Sequence, residues 1–84
     1  MKNILVVDDD KMNLATARKV LSEDYKVIPV VRGEQALSYL KNGTCDIILL
    51  DINMPEMNGF QVLKKIREME HCQNVPVIFL TAHP

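Results

Sequence analysis

Two unbroken apolar runs, each delivering aspartate at its C-terminal end, constrain this chain most. Ile4-Leu5-Val6-Val7 runs into Asp8-Asp9-Asp10, and Asp46-Ile47-Ile48-Leu49-Leu50-Asp51 repeats the pattern. A strand without polar alternation has no face to give to water, so both runs read as strands of a parallel sheet covered on both sides. Parallel neighbours need crossover connections, and the intervening sequence supplies them as helices.

From Lys11 to Leu21 the residues Leu14, Ala17, Val20 and Leu21 are expected on one helical face, with the Asp10 carboxylate capping the first turn. Tyr25 to Val31 is β-branched and extended but carries Lys26 and Pro29, which places it at a sheet edge, because proline donates nothing to a central ladder. A second helix opens at Gly33 with Ala36, Leu37 and Leu40 on its buried face, and Asn42-Gly43 predicts a left-handed stop. After the second aspartate-ended run, expected at the sheet centre, Met54 to Gly59 forms a loop. A third helix follows, with Val62, Leu63, Ile66 and Met69 inward and Lys64, Lys65, Arg67 and Glu68 as a solvated face. Pro76 to Thr81 reads as a fourth buried strand. Four strands alternating with three helices and short connections give right-handed crossovers and helices on both sheet faces.

At 84 residues the chain allows one domain and one modest core. A net charge of -1 excludes the electrostatic footprint of a nucleic-acid or anionic-membrane binder. The first apolar run holds only four residues, too short for a signal-peptide core or a membrane span, which points to the cytoplasm. Cys45 and Cys72 lack C-x-x-C spacing and are expected as buried or half-buried thiols in a reducing compartment.

In an open parallel sheet, ligands bind beyond the carboxyl ends of the strands. Asp8 and Asp9 leave the first strand there, Asp51 the third and Thr81 the fourth. Any one aspartate at a strand end commonly caps the next helix, and Asp10 suits that role best. Capping does not explain Asp8, Asp9 and Asp51 delivered together by two buried strands. Crowded carboxylates repel one another unless a hard cation balances them, and Mg2+ takes oxygen ligands of this kind. A carboxylate beside such a cation can accept a phosphoryl group.

At these residues the chain resembles the receiver domain of bacterial two-component response regulators. The resemblance is carried by Ile4-Leu5-Val6-Val7-Asp8-Asp9-Asp10, by Asp51-Ile52-Asn53-Met54-Pro55-Glu56-Met57-Asn58-Gly59 and by Leu80-Thr81-Ala82, with Gly33 to Leu37 a weaker match. It implies a flavodoxin-like doubly wound α/β fold, incomplete here, with four parallel strands in the order 2-1-3-4 and three helices. Residues 1–84 would form a single truncated receiver domain. The resemblance further implies a signalling switch rather than a turnover enzyme. Asp51 would accept phosphate from the phosphohistidine of a sensor histidine kinase or phosphotransfer protein, with Mg2+ as cofactor. Asp9 would bind Mg2+ directly, Asp8 mainly through a coordinated water, and Asp51 and the backbone carbonyl of Asn53 would complete the protein's ligands. The side chain of Asn53 would tune hydrolysis of the phosphoaspartate, and Thr81 would be the switch hydroxyl.

Receivers continue past the switch threonine through a helix, a lysine-bearing fifth strand and a last helix, whereas this sequence stops at Pro84, so the lysine, the output face and any effector domain are expected to be missing. The fourth strand, Val77 to Leu80, would then be a bare apolar edge, and the helix face that the last helix should cover would be uncovered too, which predicts a homodimer through both. Two competing readings are a non-phosphorylated interaction or dimerisation module with the same fold, and a Mg2+-dependent phosphohydrolase. The second is disfavoured because Asn53 stands where such enzymes carry a second acid.

Overall fold

The computed structural model describes residues 1–80. In chain order these form β1 (Lys2–Val7), α1 (Lys11–Leu21), β2 (Tyr25–Val30), α2 (Gly33–Asn42), β3 (Ile47–Asp51), α3 (Gly59–Glu68) and β4 (Val77–Leu80). A 3-10 turn over Glu70–Cys72, which the apolar pattern did not announce, joins α3 to β4. All strand pairs are parallel and the sheet order is β2-β1-β3-β4, as the resemblance implies. The proline-bearing β2 lies at an edge, where the N–H that Pro29 lacks is tolerated.

Side chains that alternate along each strand divide the core in two. On one face Leu5, Val7, Ile48 and Leu50 meet Ala36 and Leu40 of α2 and Val62 and Ile66 of α3. On the other, Ile4 and Val6 pack with Leu14 of α1, flanked by Ala17, Leu21, Ile47 and Leu49. Burying each large aliphatic side chain contributes about 1.5–3 kcal/mol, and the two aspartate-ended runs supply most of them, which is why those runs sit at the sheet centre. Cys45 and Cys72 are both buried free thiols in the larger cluster, as expected. Among the described residues no helix is long and apolar enough to cross a membrane.

Several local expectations need correction. Val20 is 68% exposed rather than part of the inward face of α1. At 3.6 residues per turn Leu21 returns over Leu14, whereas Val20 lies about a third of a turn away. Asn42-Gly43 does not make a left-handed stop, because Gly43 is extended at φ -133. Its glycine serves space instead, since a Cβ there would stand 3.0 Å from the carbonyl oxygen of Tyr39. The one positive φ among the described residues belongs to Glu56, at 68°, in the loop before α3.

Arg67 is not part of a solvated stripe either. Its guanidinium donates to the carbonyls of Cys72 at 2.9 Å and Val75 at 2.8 Å, pinning the connection that leads to β4. His71 ties the same connection to α2, its Nε2–H donating to the carbonyl of Leu40 at 2.6 Å. The strand bounds also differ from the reading: β1 is longer, beginning at Lys2, and the other three are shorter. β2 stops at Val30, and β4 starts after Pro76. Asp46 lies outside β3 and accepts the Asn3 amide at 2.7 Å.

Candidate functional site

Register determines the site. Val7 of β1 stands level with Leu50 of β3, so the residues that follow, Asp8 and Asp51, leave the sheet side by side. Asp51 is itself level with Leu80 of β4. Carboxylate oxygens of Asp8, Asp9 and Asp51 all lie within 4.8 Å of one another, although Asp51 is about 40 residues from the adjacent pair Asp8 and Asp9 in the chain. They open into a cavity of about 370 Å³ whose wall also takes in Asp10, Asn13 and Asn53, with Val6 and Leu80 as its apolar part. Among the described residues no lysine or arginine lines it.

Each aspartate is held differently. Asp8 is only 4% exposed and both of its oxygens are engaged: Oδ1 accepts the Asp10 amide at 2.9 Å and Oδ2 accepts the Asn13 side-chain amide at 3.2 Å. Asp9 is exposed. Asp10 turns to helix α1 as expected, its Oδ1 accepting the Met12 amide at 2.8 Å and, at the longer distance of 3.4 Å, that of Asn13. Asp51 is 7% exposed, and its Oδ1 accepts the Asn53 amide at 3.2 Å. That contact leaves Oδ2 with no backbone amide donor among the described residues.

Burial pushes the Asp51 carboxyl up to about 6. The negative charges of Asp8 and Asp9, and a hydrogen bond with the Asp9 side chain, add to the rise, while the Asn53 amide opposes it. A buried acid that resists ionisation beside two others marks a place with too much negative charge and room for a cation. The donor set is all oxygen, which fits a hard cation such as Mg2+ and not a thiophilic metal.

The loop after β3 is built to keep this geometry. Asn58 caps α3 reciprocally with Gln61: the Gln61 amide donates to Asn58 Oδ1 at 3.0 Å, and the Asn58 amide donates to Gln61 Oε1 at 2.8 Å. Gly59 lets α3 begin against the end of β3, its amide donating to the Ile52 carbonyl at 2.9 Å.

The structure thus brings together Asp8, Asp9, Asp51 and Asn53, and the predicted switch residue Thr81 lies outside the described residues. The sequence reading passed over Asn13. Its signal was available: a weak helix former at the third position of α1, five residues beyond Asp8, where no packing requires it.

Comparison with known proteins gives the family and agrees with the fold. The chain is 41% identical over 78 residues to a probable cyclic di-GMP phosphodiesterase of Vibrio cholerae, covering 93% of this chain but only 18% of that protein's length. The solved N-terminal domain of a response regulator receiver protein from Methanoculleus marisnigri superposes with a TM-score of 0.93 at 35% identity, over 100% of this chain and 69% of that one. The response regulator TrrA of Thermotoga maritima, solved in complex with Mg(2+)-BeF, gives 0.89 at 36% identity over 99% and 71%. Residues 4–84 match the response regulator receiver domain family, and with the sheet order and the three converging aspartates they make this chain a member of it.

Proposed function

We propose that the chain is a phosphorylation-dependent signalling switch in which Asp51 accepts a phosphoryl group from the phosphohistidine of a sensor histidine kinase or phosphotransfer protein. The observation that carries this reading is the convergence of Asp8, Asp9 and Asp51 within 4.8 Å, with Asp51 at the floor of an open cavity. In the transfer, Asp51 Oδ2 forms a bond to phosphorus as the bond between phosphorus and the donor nitrogen breaks, and the electron pair returns to the imidazole.

Asp9, Asp8 and Asp51 would hold Mg2+ together with the backbone carbonyl of Asn53. A bound Mg2+ supplies neutralisation of charge on the phosphoryl oxygens. Asn53 steadies Asp51 through its amide and lines the cavity beside it. That a solved relative, the response regulator TrrA, was obtained in complex with Mg(2+)-BeF supports Mg2+ as the cation. The readout assigned to Thr81 belongs to this proposal, as does a cytoplasmic location.

Incubating the chain with Mg2+ and a small acyl phosphate tests the reading by intact mass. A single phosphoryl adduct is expected, lost when a chelator replaces Mg2+ and lost in Asp51→Ala. A folded parent chain that gains no mass would contradict it. The same reading assigns the outer side of β4, where Ile78 is 53% exposed, to a second copy of the chain. Light scattering is expected to give a dimer, and a monomer at working concentration removes that assignment.

A further inference from the structure

The role of Asn13 is not explained by the fold. It sits at the third position of α1, where alanine or leucine would favour the helix more, and it is exposed, so it fills no core space. Among the described residues its one side-chain hydrogen bond to another residue reaches back five residues, Nδ2–H donating to Asp8 Oδ2 at 3.2 Å. Asp8 is the most buried charged side chain among the described residues, at 4% exposure.

A carboxylate has about four acceptor positions. The Asp10 amide takes one on Oδ1 and Asn13 takes one on Oδ2, so each oxygen keeps capacity toward the cavity while the carboxylate plane is fixed from both ends. Both donors are neutral. They orient the charge without cancelling it, whereas a lysine in place of Asn13 would compete with a cation for Asp8.

The surrounding residues make this arrangement specific. Asp10 caps α1 and fixes the first turn, and Leu14, next in sequence, is buried under the helix against Ile4 and Val6. With Leu14 anchored inward, the residue before it is carried about 100° round the helix, toward the cavity. The register of α1 therefore sets the Asp8 carboxylate through Asn13.

We propose that Asn13 is a positioning residue that holds the Asp8 carboxylate in the orientation needed to take up the divalent cation. This rests on the reading of the three aspartates as a Mg2+ site. Outer partners of metal-binding side chains typically change affinity 10–100-fold when removed, and with one of two donors lost here the expectation is roughly 10-fold.

The test is calorimetric titration of Mg2+ into the folded parent chain, Asn13→Leu and Asn13→Ala, with thermal unfolding in chelator alongside. Asn13→Leu keeps the size and improves helix propensity, which offsets part of the lost hydrogen bond to Asp8, so the variant should stay folded without metal while its Mg2+ dissociation constant rises roughly 10-fold. Asn13→Ala should weaken binding to a similar degree. In the parent, the side-chain amide resonances of Asn13 should shift on Mg2+ addition. Unchanged Mg2+ affinity in both folded variants would overturn the positioning role and leave the site intact. A parent chain that takes up no Mg2+ would remove the site reading itself, and the proposal with it.

Discussion

In chelator at neutral pH, Asp51→Asn is expected to unfold at higher urea than the parent chain, by about 1–3 kcal/mol in free energy. The Asp51 carboxyl sits near 6 in the folded protein against an ordinary value of 3.8, chiefly because it is buried, and further because Asp8 and Asp9 face it. A raised folded value means that the native state holds its proton more tightly than the unfolded chain. The penalty for ionising Asp51 is therefore absent below about pH 4, grows between about 4 and 6, and is complete above 6. The advantage of the asparagine variant should follow the same course and vanish near pH 4. Mg2+ should reverse the order, because a ligand that binds only the native parent stabilises it by mass action and has less to bind in the variant. Urea unfolding at both pH values, with Mg2+ and with chelator, checks this. A variant less stable than the parent in chelator at neutral pH would show that Asp51 is not a repelled, buried charge.

The second large effect is at Gly59. A Cβ there would lie 2.6 Å from the Asp51 carbonyl oxygen and 2.9 Å from the Ile52 Cα, both backbone atoms that no rotamer change can move aside. Gly59→Ala must push α3 away from the end of β3, straining the capping pair Asn58 and Gln61 and the packing of Val62 and Ile66. A destabilisation of about 3 kcal/mol or more is expected, at the upper end of overpacking effects. Because the displaced atoms belong to Asp51 and Ile52, Mg2+ affinity should fall as well in whatever fraction remains folded. Thermal unfolding near the parent's midpoint would contradict the close approach. The residue's use here is room, not conformational freedom.

What the sequence made legible follows from how each feature is encoded. Ile4–Val7 and Ile47–Leu50 could be placed at the sheet centre because a wholly apolar strand has one stable location, and their aspartates followed them to one crevice. Pro29 marked an edge by chemistry alone. Val20 misled because an apolar side chain one position from the half-buried Leu21 looks equally inward until the helix is docked. Arg67 looked solvated because its partners, the carbonyls of Cys72 and Val75, are backbone groups of a turn that no periodicity announces. Asn13 escaped for a similar reason: its hydrogen bond to Asp8 depends on the docked register of α1, which composition does not carry. The carboxylate cluster is thus written in the strand pattern, while the groups that orient it depend on how the helices dock.

The central claim is that Asp51, and no neighbouring acid, receives the phosphoryl group. Borohydride reduction of the chain after treatment with acyl phosphate and Mg2+ tests it directly, since reduction of an aspartyl phosphate leaves homoserine at the acceptor, and peptide mass analysis then locates it. Homoserine at position 51 alone is the predicted result. Homoserine at Asp8 or Asp9 with Asp51 intact, or no conversion anywhere on a folded chain, would contradict the account.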